Sequence, residues 1–168
     1  MAEAVGLIAS IIAIGGVADK AYRVSKDIRR LARDLSSAQA DIKKFATEIK
    51  DFSLVISYAN LSLHEYSKKT SAESKVLESI QHQKLFDRIL AASDRVIDHI
   101  YQIWPGLESL ESTIPLFERF KWIMRRAEVA ALHPKMESVK TSLQLIVSVV
   151  TLESVLKQGE SRENKRLV

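Results

Sequence analysis

Six basic side chains, Lys20, Arg23, Lys26, Arg29, Arg30 and Arg33, come directly after residues 4–18 (AVGLIASIIAIGGVA), a stretch that carries no charge. This is the arrangement in the sequence with the clearest chemistry, and that chemistry is electrostatic. A basic segment beside an apolar one is drawn to an anionic bilayer by about 1 kcal/mol for each Lys or Arg close to the lipid. The bland alternative is a solvated helix face. A nucleic-acid surface would place stacking aromatics or a base-reading motif among the charges, and Tyr22 is the one aromatic residue in that segment. Lys121, Arg125 and Arg126, beside Trp122, form a smaller cluster with the same two readings.

The residues that catalysis needs do not come together. There is no Cys, which removes disulfides, zinc-thiolate sites and iron-sulfur clusters and is compatible with a reducing compartment. His64, His82, His99 and His133 are isolated, and none has the HExxH spacing that sets two zinc ligands on one helix face. Glu108 and Glu111 stand three apart, whereas carboxylates acting on a substrate oppose each other across a pocket. No GxxxxGK[ST], GxGxxG or GxSxG occurs, so backbone cradles for phosphate and strained nucleophile turns are missing as well. The expectation is a non-enzymatic protein with no cofactor, no metal and no nucleic-acid partner.

The elements that position these residues are helices. Only 5 Gly and 3 Pro serve 168 residues, far too few for hairpins joining short strands. From Ala21 the apolar positions run through Val24, Ile28, Leu31, Leu35, Ala38, Ile42, Phe45, Ile49, Phe52, Ile56, Ala59 and Leu63 in steps of three and four, the seam of bundle or coiled-coil packing. Ser36 and Gln39 have capping-box spacing, yet the seam keeps phase across them. One long helix, or two stacked in line, is expected. Residues 67–74 (SKKTSAES) read as a loop, with Ser74 a cap for the next helix.

A third series carries Val76, Ile80, Phe86, Ile89, Leu90, Val96, Ile97, Ile100 and Ile103 and should end or kink at Trp104, Pro105 and Gly106. Pro115 suits the first turn of a short helix with Phe117, Phe120, Ile123 and Met124. A last helix carries Leu132, Met136, Val139, Leu143, Ile146 and Val150, with Pro134 early in it or kinking it. These elements predict an all-α bundle of four to five helices over residues 1–157, with 158–168 a polar tail or linker start.

The apolar stretch 4–18 is the outlier. As a helix it reaches roughly 22 Å, short of the ~30 Å hydrocarbon core, so it is no conventional transmembrane anchor. No basic n-region precedes it, against a secretory signal, and residue 2 is not the Gly that myristoylation requires. Gly15 and Gly16 each cost about 1 kcal/mol in a helix interior, which predicts a hinge or a helix end there. Val5, Leu7, Ile8, Ile11, Ile12, Ile14 and Val17 are expected to be buried as a central helix at rest. A bilayer would also take them out of water, so such a helix suits two places.

The opening MAEAVGLIASIIAIGGVADKAY and the later FERFKWIMRRAEVAALHPKMESVKTSLQLIVSVV together resemble the fungal N-terminal domain of STAND proteins, also called HeLo-like. The shared pattern is a small-residue-rich apolar first helix, then a Trp with basic residues and a Lys-x-x-Leu-x-Leu helix, here Trp122, Arg125, Arg126, Lys140, Leu143 and Leu145. The resemblance covers nearly the whole chain. It implies a membrane-targeting cell-death effector, cytoplasmic at rest and at the plasma membrane when activated, which oligomerises and inserts its first helix into anionic lipid. Val5 to Val17 would be the inserting helix, Gly15 and Gly16 its joint, and the six basic residues its lipid contacts. Downstream receptor domains would supply the trigger, although no NTPase motif occurs within this sequence. The alternative is a non-lytic helical interaction or oligomerisation module.

Overall fold

The computed structural model describes the backbone of residues 2–69, 74–110 and 115–164 and the side chains of 8–68, 74–110, 115 and 117–159. Among these residues there are five helices and no strand: α1 (Ala2–Asp34), α2 (Gln39–Lys69), α3 (Lys75–His82), α4 (Leu85–Glu108) and α5 (Pro115–Asn164). The protein is all-α, as the helical spacing of its apolar residues requires.

Every residue of the seam from Ala21 to Leu63 is buried. The chain does not continue in line across Ser36, however. It turns at residues 35–38, and α2 folds back along α1, so that Gly15 lies against Asn60, the Ser53 hydroxyl donates to the Ala18 carbonyl at 2.9 Å and Arg29 donates to Thr47 at 3.2 Å. The seam keeps phase because Leu35 and Ala38, on either side of the turn, both point into the core. In-phase spacing therefore could not separate a continued helix from a reversed one.

A buried carboxylate holds that turn. Glu118, in the first turn of α5, accepts from the backbone amides of Ala38 at 2.7 Å, Ser37 at 2.8 Å and Ser36 at 3.3 Å, and from the Ser37 hydroxyl at 3.0 Å. Amides in the turn between two helices have no ladder partner, and here one side chain from 80 residues away serves three of them. Burial alone would raise the Glu118 carboxyl. The Ala38, Ser37 and Ser36 amides and the Ser37 hydroxyl outweigh it and hold the group below its ordinary value.

Beyond that cap α5 runs alongside α2 in the same direction. Trp122 Nε1 donates to Asp41 Oδ2 at 2.8 Å near one end, and Tyr66 and Ser74 donate to Glu153 near the other, Ser74 at 2.6 Å. The Ser74 hydroxyl also accepts from the Leu77 amide at 3.1 Å, as the N-cap expected of it. α4 runs antiparallel to α5, with Gly106 against Arg125 and His99 beside Lys135. It closes the square by packing on α1, giving an up-down-up-down bundle of α1, α2, α4 and α5. Leu132, Met136, Val139, Leu143, Ile146 and Val150 face inward from α5.

Five expected boundaries differ. α2 continues through residues 67–69 of the expected 67–74 loop, of which 70–73 lie outside the described residues. The third apolar series is split at Gln83 and Lys84, where Lys84 adopts a left-handed conformation with φ 53° and starts α4. α4 passes through Pro105 and ends a turn later at Glu108. The two helices expected after Pro115 are one helix of 50 residues, with exposed Pro134 in its interior. Proline there removes one backbone bond, a loss that the inward packing on either side of it outweighs. Finally, helical backbone continues from Gln158 to Asn164, into the segment expected to be a polar tail.

Candidate functional site

α1 begins with the apolar stretch and ends with the basic one, 33 residues in all. The side chains of Val5 and Leu7 lie outside the described residues. Of the other predicted insertion residues, Ile11, Ile14 and Val17 are buried, whereas Ile8 is 44% exposed and Ile12 63% exposed. The first helix is thus one side of a square, not a central helix, and among the described residues its outer face has no neighbour. Its inner face follows the four- and three-residue spacing of Ile11, Ile14, Ala18, Ala21 and Ser25, all buried.

The helix end expected at Gly15 and Gly16 does not occur, for α1 runs unbroken through both. Gly16 faces open space. Gly15 is an intimate contact, since a Cβ there would stand 2.9 Å from the Asn60 amide nitrogen. The close approach of α2 offsets the helical cost of this glycine. The approach has a flaw, however: among the described residues Asn60 Oδ1 is buried with no hydrogen-bond partner. A buried unpaired acceptor costs about 1–3 kcal/mol, so the α1 and α2 interface is weakened at the position opposite Gly15. Gly16→Ala should therefore stabilise the protein by about 1 kcal/mol, and Gly15→Ala should forfeit that gain by displacing Asn60. Urea titration of the two variants against wild type measures both.

All six predicted basic residues, Lys20, Arg23, Lys26, Arg29, Arg30 and Arg33, are exposed. Arg30 pairs loosely with Asp27 at 3.8 Å, and Lys26 stands 6.0 Å from the Tyr22 ring. Arg23, Lys26, Arg30 and Arg33 succeed one another at steps of three and four, on the same outer face as Ile8 and Ile12 once the helical repeat is traced through Gly16. One exposed strip of α1 therefore changes from apolar to predominantly basic along its length, with Asp19 at the junction and Asp34 at its end. Eleven residues, about 16 Å of helix, separate Ile12 from Arg23.

A scan against protein-family models found no match, and searches of curated proteins and of solved structures returned no similar protein. The site is therefore read from its own geometry. Among the described residues no three His, Cys, Asp or Glu side chains come together in a way that could hold a metal ion.

The uncharged stretch points to the N-terminus as the membrane-competent part of the chain. Among the residues whose side chains are described, however, which leaves out the first turns of α1, one helix is long and apolar enough to cross a bilayer, and it is α5, within Phe117–Gly159. Only 22% of its most apolar stretch is buried, much less than a core helix would show. Leu145, Val149, Leu152 and Leu156 lie exposed along it, and Leu54, Tyr58 and Leu61 lie exposed along α2. An apolar groove of about 730 Å³ runs between the two helices, lined in part by Leu54, Tyr58, Val147, Leu152 and Val155. Sequence reasoning misses it because Glu153 and Lys140 interrupt the stretch. Glu153 is committed to the Tyr66, Ser74 and Lys157 network. Burial on its own would raise the Glu153 carboxyl, but those hydrogen bonds, with the Lys157 charge, hold it below its ordinary value.

Proposed function

We propose that this chain is a non-enzymatic, membrane-targeting cell-death effector domain of the HeLo-like kind, at work in a fungal receptor system. It waits in the cytoplasm as the closed bundle. On activation it oligomerises at the plasma membrane and delivers the tip of α1 into anionic lipid. The observation that carries this reading is the outer strip of α1, where exposed Ile8 and Ile12 precede exposed Arg23, Lys26, Arg30 and Arg33. An apolar tip backed by basic turns suits the passage from hydrocarbon to anionic headgroups.

The energetics of release are compatible with it. Ile11, Ile14 and Val17 are the large described side chains that hold the tip, each worth about 1.5–3 kcal/mol as an upper bound. A bilayer removes the same side chains from water, and departure frees the Asn60 acceptor, which has no partner among the described residues. The balance between the two locations is thus far smaller than either burial term.

The test is dye release from vesicles containing phosphatidylserine. Ile8→Asp combined with Ile12→Asp alters two exposed positions, so the bundle should melt as wild type does while leakage falls roughly tenfold or more. Equal leakage by this variant, or intact vesicles with wild type at every protein-to-lipid ratio, overturns the reading.

A second reading has its own support. Leu145, Val149, Leu152 and Leu156 are exposed at steps of four, three and four, and Leu54, Tyr58 and Leu61 at four and three. Those outward seams, with the groove between them, suit a partner helix in a non-lytic interaction or oligomerisation module.

A further inference from the structure

The helical spacing of Phe117, Phe120, Ile123 and Met124 predicts a core face, yet these side chains are 56%, 62%, 57% and 66% exposed. Their helix is fixed from the other side. Glu118 is tied to the 35–38 turn and Trp122 to Asp41, and both are buried. At about 100° per residue, the four apolar side chains fall within one arc of about 120°. Arg119 and Arg126 border it on one side and Lys121 on the other, all three exposed. From 117 to 127 the one acid is Glu118, which the turn consumes.

The fold adds further charge at this end of the bundle. Because Glu118 caps the turn at the end of α1, the last turns of α1, with exposed Arg29, Arg30 and Arg33, finish beside the first turns of α5. Asp27, loosely paired with Arg30, and Asp34 are the exposed acids on those turns. Ile8 lies at the far end, 25 residues or about 37 Å of helix from Arg33.

We infer that the first turns of α5 are the docking surface for an anionic bilayer in the closed bundle, through the stripe of Phe117, Phe120, Ile123 and Met124 and its basic borders. An interfacial helix buries such a stripe about 5–10 Å deep while its flanking Lys and Arg reach headgroup phosphates. A nucleic acid would answer the charges but leave Ile123 and Met124 in water. The assignment rests on the membrane reading above, but it needs no release of α1. Docking and insertion are then separate acts of opposite ends of the molecule.

The experiment is sedimentation of the full chain with phosphatidylcholine vesicles, with and without phosphatidylserine, alongside dye release. Wild type should sediment with the phosphatidylserine vesicles and lose them as salt rises. Phe117→Ser with Phe120→Ser, and separately Arg119→Glu with Arg126→Glu, should each weaken that binding roughly tenfold or more without altering the thermal melt. Ile8→Asp with Ile12→Asp should still sediment while failing to leak the vesicles. If the Phe variant binds as wild type and the Ile variant does not, the docking assignment falls and the α1 reading survives. If wild type binds neither vesicle, both fall. Binding to a DNA duplex that is insensitive to the Phe changes, without vesicle binding, overturns the assignment in favour of nucleic acid.

Discussion

Oxidation of a Ser10→Cys, Asp87→Cys variant is expected to abolish vesicle leakage, and reduction to restore it. Ser10 Oγ lies 3.5 Å from Asp87 Oδ1, which ties the tip of α1 to the start of α4 across an exposed edge of the bundle. Cysteines here replace two side chains that touch, and the sequence has no other cysteine to compete. The crosslink adds no charge and fills no cavity, so a change in activity reports the freedom of the helix. A leaking oxidised variant, its disulfide verified by mass spectrometry, would show that the tip need not leave. A reduced variant that leaks no more than the oxidised one would trace the loss to the substitutions themselves. Docking at the first turns of α5 should be the same in both redox states.

Glu118→Ala should be the most destabilising single change outside the apolar core. It strips the Ser36, Ser37 and Ala38 amides of their acceptor at a turn that also aligns α1, α2 and α5. Hydrogen bonds to a charged group are worth about 1.5–3 kcal/mol each, and they share one carboxylate, so a loss of about 3 kcal/mol is expected. In a domain of this size that lowers the midpoint by roughly 6–12 °C in a thermal scan. Glu118→Gln should fall in between. A midpoint unchanged by Glu118→Ala would mean that water serves those amides equally well.

The same carboxylate, with Glu153, sets an acid limit. Both are held below the ordinary value when folded and return to about 4.3 when unfolded. Their contribution is complete above the unfolded value and drains away as pH falls through the lower folded values. Glu118→Ala should therefore flatten the loss of stability below about pH 4.3 as well as lower its plateau.

The all-α class and most of the core were legible in the sequence, because burial on one side of a helix writes itself as steps of three and four. Each of the thirteen seam residues from Ala21 to Leu63 is buried. What spacing could not carry was direction. Leu35 and Ala38 stay in register through a reversal that has neither Gly nor Pro, and the group that stabilises it arrives from residue 118. Spacing is also silent about whether a partner exists. Phe117, Phe120 and Met124 obey the same rule as Leu132, Met136 and Val139, yet the first set points away from the face on which Glu118 and Trp122 are buried and the second packs inside. The basic cluster was legible as a set of exposed residues, whereas its meeting with the start of α5 is a product of topology alone.

The parallel course of α2 and α5 places Glu153 level with Tyr66, and the antiparallel course of α1 places its tip at that level too. The last turns of α5 consequently leave the bundle at the same end as the first turns of α1, diagonally across the square. Anything that gathers several copies by the far end of α5 would hold their α1 tips within a few nanometres of one another, at an effective concentration on the order of millimolar. Apolar helices too dilute to meet as free monomers would then associate by proximity alone, so the geometry converts a crowding of tails into a crowding of tips.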